Sequence, residues 1–200
     1  MSLPFKNRSF HSGFSLIELV VVIGIFTLIM AVILFNQSKL SSSTLVDNLA
    51  YETALTLRQA QDYGIGVRAV NPGLGAAAFA GGFGVHFDKT TPTTFILFKD
   101  DDGTHTYTPP STPGGTDQVL SIYNIGNNNR ISALCINNNC NMAFSTLDIT
   151  FTRPNPEAVI ILDNQSITNA QASAQIKLTT ATGDKTKTVD VQLSGQISVQ

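Results

Sequence analysis

The stretch SGFSLIELVVVIGIF, residues 12–26, opens an apolar run that extends over residues 14–35. Sixteen of these 22 residues are Leu, Ile, Val or Phe, and a membrane-spanning helix needs about 20 mostly apolar residues. The run contains one charged residue, Glu18. Each large apolar residue favours insertion by roughly 0.3 to 0.6 kcal/mol, whereas a central acid costs about 2.5 to 3.5 kcal/mol. We therefore predict a transmembrane helix, and a function for Glu18, because intramembrane carboxylates are functional by default.

The segment before the run is short and basic, with Lys6, Arg8 and His11 and no acidic residue. A secretory signal peptide has its small-residue cleavage site after the apolar core. Here the small residue, Gly13, precedes the apolar core. Cleavage after Gly13 would leave the hydrophobic helix on the mature protein. Basic residues before the run hold that end in the cytoplasm and send the carboxyl-terminal part outward.

The heptad Gly13-Phe14-Ser15-Leu16-Ile17-Glu18-Leu19 resembles the class III signal of type IV pilins and type II secretion pseudopilins. The resemblance implies that a membrane-embedded prepilin peptidase cuts after Gly13. It also implies that the new terminal residue, Phe14, is N-methylated, and that Glu18 is the family's glutamate with a role in assembly. The same resemblance implies partners: other pilin or pseudopilin subunits, the inner membrane and an inner-membrane assembly platform.

Cleavage would create a positive amino terminus at Phe14 in a region of low dielectric. An ammonium and a carboxylate are each costly there, but together they can compensate each other. With an axial stagger between subunits, Glu18 of one subunit would meet the amino terminus of the next. The charge would then set the register between subunits, as a single buried polar group does in coiled coils.

The charge and the cysteine content limit the functional classes to which the protein can belong. The chain has 12 basic and 14 acidic residues, a net charge of −2, and losing Lys6 and Arg8 with the leader would leave −4. No strong nucleic-acid binding is expected from such a surface.

Cys135 and Cys140 enclose Ile-Asn-Asn-Asn. An outward-facing domain favours a disulfide between them, with free buried thiols as the alternative, whereas structural zinc needs four ligands.

The sequence predicts an α+β fold in which a long amino-terminal, membrane-anchored helix packs on a mostly antiparallel β head domain. The predicted segments are a cleaved leader, 1–13, a helix, 14–64, and a β-rich globular head, 65–200. In the helix, residues 14–35 are transmembrane and 36–64 amphipathic, and Gly64 is the predicted left-handed stop. One stripe has helical spacing and should be buried: Val46, Leu49, Ala50, Thr53, Leu57 and Ala60.

Beyond Gly64 the helical periodicity ends and short strand-like runs alternate with turn residues. Residues 186–193 alternate apolar and polar side chains, as half-buried antiparallel strands do. We predict strands at 84–87, 94–98, 105–107, 119–123, 147–152, 159–162, 174–179, 186–193 and 196–199. The helix end 55–61, the strand near 84–87, the stretch 151–154 and the closing 195–197 resemble the H-type minor pseudopilins. In that family the stretch 151–154 corresponds to Phe-x-Pro-x-Gly, from which this chain departs.

Three patterns resemble chemical sites, and in each the structural interpretation is stronger. Residues 73–78 fit the dinucleotide pattern G-x-G-x-x-A but lack its strand, helix and acidic residue. Asp100-Asp101-Asp102-Gly103 lacks the spaced ligands and final Glu of an EF-hand, so it predicts a hairpin tip between Phe98 and Thr106. His86 and His105 have no nucleophile motif beside them. We therefore predict no catalytic residues, no enzyme activity, no metal and no cofactor.

The sequence thus favours a structural subunit over an enzyme or a binding module. The predicted function is that of a prepilin-like subunit in a type II secretion pseudopilus or a related filament, as a minor subunit. The predicted location is the inner membrane, crossed once, with the head periplasmic or extracellular. The alternative is a pilin of a type IV pilus or DNA-uptake filament whose head binds a ligand.

Overall fold

The structure, a computed structural model, describes residues 13–66, 81–140, 144–168 and 172–200, with the side chains of 35–43 excepted. The leader residues 1–12 and the glycine-rich stretch 73–78 lie outside the described residues. The chain divides into two compact units between Ser41 and Ser42. The division falls inside the helix, so the second unit includes the helix's carboxyl-terminal part, whereas the predicted scheme starts the head at residue 65.

The fold is α+β, as predicted, and its sheets are antiparallel. Among the described residues a single helix, α1 (Leu16–Ile65), is followed by strands of two to seven residues. The strands are β1 (Gly82–Asp88), β2 (Thr94–Asp100), β3 (Gln118–Asn124), β4 (Arg130–Ile136), β5 (Thr146–Phe151), β6 (Ala158–Leu162), β7 (Gln165–Ser166), β8 (Ser173–Thr179), β9 (Thr186–Gln192) and β10 (Ile197–Val199).

The strands form two sheets. The larger has six strands in the order β3-β2-β1-β5-β6-β7, and the smaller has four in the order β10-β9-β8-β4. In the smaller sheet Ile176 of β8 pairs with Val189 of β9, and both are fully buried. One face of these two strands is therefore directed to the core.

The core of the second unit is built around the helix stripe. All six predicted residues are buried, with at most 7 % of Leu49 exposed. Five of them, all except Thr53, join strand residues in one apolar cluster that includes Val85, Ile149 and Val191. The hydroxyl of Thr53, buried among them, donates to the carbonyl of Leu49 at 2.9 Å. This satisfied hydroxyl explains how a polar residue fits the stripe.

Polar side chains of α1 also bond to loops at the ends of the strands. Gln61 Nε2 donates to the carbonyls of Pro156 and Gly195, each at 3.1 Å. The Nζ atom of Lys185 lies 2.9 Å from an Asp47 carboxylate oxygen. The helix is therefore fixed to the head by both apolar burial and directional bonds.

Most predicted strands are present, with boundaries shifted by one or two residues, but four details of the prediction are wrong. Residues 105–107 are irregular, because carboxylates accept the backbone N–H groups of His105 and Tyr107. The Asp100–Gly103 turn is not a hairpin tip, because the end of β2 pairs with β3, Lys99 with Gln118, and not with residues 105–107. The prediction omitted β4 and β7. Gly64 lies within the helix with φ outside the left-handed region, so it is not a left-handed cap.

Candidate functional site

The predicted cleavage site lies in a non-helical segment ahead of the helix. Gly13, Phe14 and Ser15 are not helical, and α1 begins at Leu16. A side-chain carbon placed on Gly13 would meet no atom within 4 Å, and 79 % of Phe14 is exposed. None of the described residues therefore covers the peptide bond between Gly13 and Phe14, as accessibility to a protease requires.

Glu18 lies in the first turn of α1 and is exposed. The backbone N–H of Leu19 donates to the carbonyl of Ser15 at 3.1 Å, which makes Ser15 the N-cap and Glu18 the third helical residue. A serine followed three residues later by glutamate is the capping-box spacing, and a negative charge is favourable at a helix amino terminus. The S-x-x-E spacing thus suits Glu18 to a capping role within its own helix, in addition to the predicted role in assembly.

The helix that follows has the properties of a membrane span. Residues Leu16–Leu34 have a mean hydropathy of 2.9 and none is buried within the protein. At 1.5 Å per residue these 19 residues extend about 28 Å, close to the thickness of a bilayer's hydrocarbon core. The hydroxyl of Thr27 donates to the carbonyl of Ile23 at 2.8 Å, so this polar group has its partner inside the helix.

A second cluster of polar residues lies in the head, where the irregular loop 101–117 follows β2. Carboxylate oxygens of Asp100, Asp102 and Asp117 lie within 4.8 Å of one another. Asp100 and Asp117 are fully buried and Asp102 is exposed. Carboxylate oxygens are the ligands that calcium prefers. Whether the cluster has a structural role or could bind a cation depends on the hydrogen bonds that these oxygens already accept.

Each oxygen of the two buried carboxylates accepts a hydrogen bond from the loop. Asp100 accepts from the backbone N–H of Gly103 at 2.8 Å and of His105 at 3.1 Å. Asp117 accepts from the backbone N–H of Asp101 at 3.0 Å and of Thr108 at 2.7 Å. Buried charges need such partners, so these acids are explained as residues that fix the loop conformation.

The loop is also bound to the outer face of the six-stranded sheet, the face opposite α1. Asp148 Oδ1 accepts from the backbone N–H of Tyr107 at 3.3 Å and lies 2.7 Å from Nδ1 of His86. The Tyr107 ring lies 5.1 Å from the His86 ring and 5.2 Å from the Phe98 ring, measured between centroids. The two histidines in the described region thus serve in loop attachment, since His105 Nδ1 lies 3.2 Å from the Thr150 hydroxyl.

Burial changes the acidity of this cluster. Burial, together with a hydrogen bond to Asp102, raises the pKa of Asp100 from 3.8 to about 6. Partial burial opposes ionisation of Asp102, but hydrogen bonds from the side chain and backbone of Thr104 outweigh it and lower the pKa of Asp102. One proton is therefore retained at Asp100 under mildly acidic conditions.

Cys135 and Cys140 form a disulfide across the turn that ends β4, with their Cα atoms 4.4 Å apart. Asn137 and Asn138, inside the turn, both have positive φ, at 50° and 64°. Asn137 Oδ1 accepts from the backbone N–H of Ser173 at 2.9 Å. The asparagine-rich turn is thus attached to β8 as well as closed by the disulfide.

One comparison with known proteins gives a match. A family model described as the prokaryotic N-terminal methylation motif matches residues 8–34. No curated protein and no solved structure matches the chain. The match covers Gly13, Phe14, Glu18 and the apolar helix, and it includes no residue of the β head. The motif implies processing by prepilin peptidase and assembly with other pilin subunits. The amino-terminal segment is thus a prokaryotic N-terminal methylation motif, the signal of type IV pilins and pseudopilins.

Proposed function

We propose that this protein is a prepilin-like structural subunit that assembles into a type II secretion pseudopilus or a related filament, as a minor subunit. Prepilin peptidase cuts after Gly13, and Phe14 is then N-methylated. One observation carries the proposal: Glu18 stands exposed in the first turn of a helix that buries none of residues Leu16–Leu34. A span without internal partners fits a chain that finds its partners in other subunits.

The charges at this end of the helix support an intersubunit contact. Cleavage leaves an ammonium at Phe14, and the helix begins two residues later. Glu18 can serve the helix terminus of its own chain, but one carboxylate has more acceptor sites than the capping box uses. The remaining oxygen is available to the ammonium of a neighbouring subunit, where the low dielectric makes a pair preferable to two isolated charges.

The location follows from the same segment. The protein is anchored in the inner membrane by a single span, and the basic leader keeps the amino terminus in the cytoplasm. The head then lies on the periplasmic or extracellular side. The Cys135–Cys140 disulfide agrees with this side, because disulfides persist in oxidising compartments.

Processing is tested at Gly13. The variant Gly13→Val should retain its leader, because a branched side chain would enter a position where the motif has only hydrogen. Mass spectrometry of the membrane-bound protein gives the amino terminus. Gly24→Val is the matched control, since Gly24 also has open space around it but lies inside the span. A mature terminus at Phe14 in Gly13→Val would contradict the proposed cleavage.

Assembly is tested at Glu18 with two variants that separate its two roles. Glu18→Leu removes both the capping carboxylate and the charge, whereas Glu18→Gln keeps a capping side chain and removes only the charge. Loss of one partner of a buried pair costs about 3–5 kcal/mol. We expect both variants to be cleaved and inserted but poorly incorporated into filaments.

Cross-linking to assembly partners in the membrane measures that incorporation. Normal incorporation of Glu18→Gln with failure of Glu18→Leu would reduce Glu18 to a helix cap. Normal incorporation of both variants would remove the proposed role in assembly.

A further inference from the structure

The loop 101–117 is attached to the six-stranded sheet through two neighbouring residues, His105 and Tyr107. His105 Nδ1 lies 3.3 Å from Oδ2 of Asp100, at the end of β2. The backbone N–H of Tyr107 donates to Oδ1 of Asp148, on β5, at 3.3 Å. Both attachments therefore use carboxylates, and one of them also uses a histidine. The charge of these groups depends on pH.

The carboxylates at the base of the loop are crowded. Oxygen atoms of Asp100, Asp102 and Asp117 lie within 4.8 Å of one another. Among the described residues none of these three acids forms an ion pair with a lysine or an arginine, and Lys99 pairs with Asp101 instead. Like charges this close oppose joint ionisation, and burial opposes it further. The closed loop therefore favours a state in which one of the three acids keeps its proton.

That proton is held at Asp100. Burial, together with the hydrogen bond to Asp102, raises the pKa of Asp100 from 3.8 to about 6. The closed loop thus binds the proton more tightly than an open, solvated loop, so closure is favoured at low pH and weakens as the pH rises through this value. The pKa of Asp102 is lowered from 3.8, so Asp102 titrates at lower pH. Burial and the charge of Asp117 raise the pKa of Tyr107 from 10.0, so its phenol stays protonated.

The two histidines near the loop act in the same direction as Asp100. His86 Nδ1 lies 2.7 Å from Asp148, the acid that accepts the Tyr107 N–H, and His105 lies beside Asp100. A protonated histidine makes each of these contacts an ion pair, whereas a neutral histidine leaves a hydrogen bond at most. Histidine loses its charge near neutral pH. Loss of these protons therefore weakens the attachment over the same range of pH as ionisation of Asp100.

We propose that the loop 101–117 is a pH-sensitive lid, closed over the outer face of the six-stranded sheet in mildly acidic surroundings and released as the pH rises to neutral and above. At low pH the proton on Asp100 relieves the crowding of charges, and the loop stays bound to the sheet. As the pH rises, Asp100 becomes a third negative charge beside Asp102 and Asp117, and the loop leaves the sheet so that water can hydrate it.

Release of the loop changes the surface of the sheet. Phe98 is fully buried, and its ring lies 5.2 Å from that of Tyr107, measured between centroids. A one-residue bulge in β3 places Val119, opposite Phe98, and Ile122, opposite Ile96, on this same face. These two residues are already 41 % and 58 % exposed. The open loop therefore adds the Phe98 ring to an existing apolar patch.

Hydrogen exchange of the mature full-length protein in detergent micelles, followed by mass spectrometry of its peptides, tests the proposal. Protection factors are compared, because they remove the intrinsic pH dependence of amide exchange. Between about pH 5 and pH 8 the protection of residues 103–108 should fall about tenfold or more, and by a clearly larger factor than that of residues 147–151 in β5. Equal falls in loop and strand would mean that only global stability depends on pH, and would overturn the proposal.

Two variants in the loop separate the charges. Asp102→Asn removes a crowded charge at an exposed position and keeps an oxygen for the Thr104 N–H. At about pH 8 its loop should be roughly fivefold better protected than the wild-type loop, because Asp100 then ionises beside a neutral amide. His105→Asn suits the local φ of 62° and should lose more protection at pH 5 than at pH 8. Glu157→Gln, an exposed acid outside the loop, is the matched control and should behave as the wild type does.

The variants also decide against the proposal if they behave otherwise. A loop in Asp102→Asn that depends on pH as the wild-type loop does would overturn it, and so would a His105→Asn loop with unchanged protection. Wild-type protection of β5 in each variant shows that the head is folded. The proposal goes beyond the proposed function, which is tested at Gly13 and Glu18, so failure here is distinguishable from failure of that function.

Discussion

Gly64 shows how a single residue controls the distance between helix and sheet. A side-chain carbon at this position would lie 2.8 Å from the carbonyl carbon and 2.9 Å from Cβ of Phe151, and Phe151 is fully buried. The sequence suggested a helix stop, because glycine suits a left-handed cap. The same residue type also permits close approach of two backbones, and only the tertiary structure distinguishes these reasons.

We predict that Gly64→Ala destabilises the head by about 1–2 kcal/mol. Overpacking costs about 1–3 kcal/mol, and the better helix propensity of alanine returns up to about 1 kcal/mol. Urea unfolding followed by tyrosine fluorescence measures the change. Asn48→Ala, on the exposed side of the same helix, should change the free energy of unfolding by about 0.5 kcal/mol or less. Equal stability of the two variants would contradict the close contact.

At the scale of elements, the 101–117 loop shows what local sequence patterns do not contain. Thr106 and Tyr107 are residue types that favour strands, yet carboxylates from β2 and β5 accept the N–H groups of His105 and Tyr107. Asp100 and Asp148 are 48 positions apart, and their convergence depends on the pairing of β1 with β2 and β5. Sequence patterns indicate strands far better than they indicate which side chains capture a loop.

The buried carboxyl of Asp100 predicts a pH dependence of stability. Its pKa of about 6 in the folded head exceeds the ordinary value of 3.8. Between about pH 4 and 6 the folded chain therefore holds a proton that the unfolded chain has released, and its stability falls as pH rises through this window. The shift corresponds to at most about 3 kcal/mol.

Asp100→Asn should flatten that slope, because the amide does not titrate, even if the variant is less stable throughout. Denaturant unfolding at several pH values, compared between wild type and variant, measures the difference in slope. Two other carboxylates have lowered pKa values. The main cause is a hydrogen bond from Lys185 for Asp47 and one from Thr180 for Asp184. These two carboxylates therefore make the head more stable as pH rises, and their contributions change below about pH 4, near and under the ordinary pKa of 3.8. Identical slopes in the two proteins would argue against a buried, protonated Asp100.

At the scale of the whole molecule, the core belongs to the second unit alone. The apolar cluster begins at Val46 and ends at Ile197, and residues Leu16–Leu34 contribute nothing to it. A chain that begins at Ser42 should therefore fold into the same β-rich head without detergent. Circular dichroism and amide dispersion in nuclear magnetic resonance spectra provide the measurement.

A chain that begins at residue 67 is the control for that truncation. It lacks the helix stripe of the core and should remain unfolded or aggregate. A folded protein from the shorter chain would show that the stripe is dispensable. Aggregation of the longer chain under the same conditions would show that the head depends on residues before Ser42.

The membrane span, the buried helix stripe and most strands could be predicted, because each depends on residues close together in sequence. The heptad at residues 13–19 could also be recognised from the sequence, because its cleavage site and its glutamate are only five positions apart. Two features of the sheet edges could not be predicted from the sequence. The strand β4 lies between asparagine-rich turns that obscure its alternation, and the exposure of Ile122 depends on a bulge and on the strand order. Both are properties of the assembled sheets.

The turns of the head have a consequence for its chemical lifetime. In the described part of the head, three turns place two successive residues at positive φ, a geometry for which the second residue is usually glycine: Asn127–Asn128, Asn137–Asn138 and Asp163–Asn164. The chain contains no asparagine followed by glycine. That pair deamidates fastest, because the unhindered glycine nitrogen readily attacks the asparagine side chain to close a succinimide ring. The head thus obtains tight turns while avoiding the dipeptide most prone to deamidation.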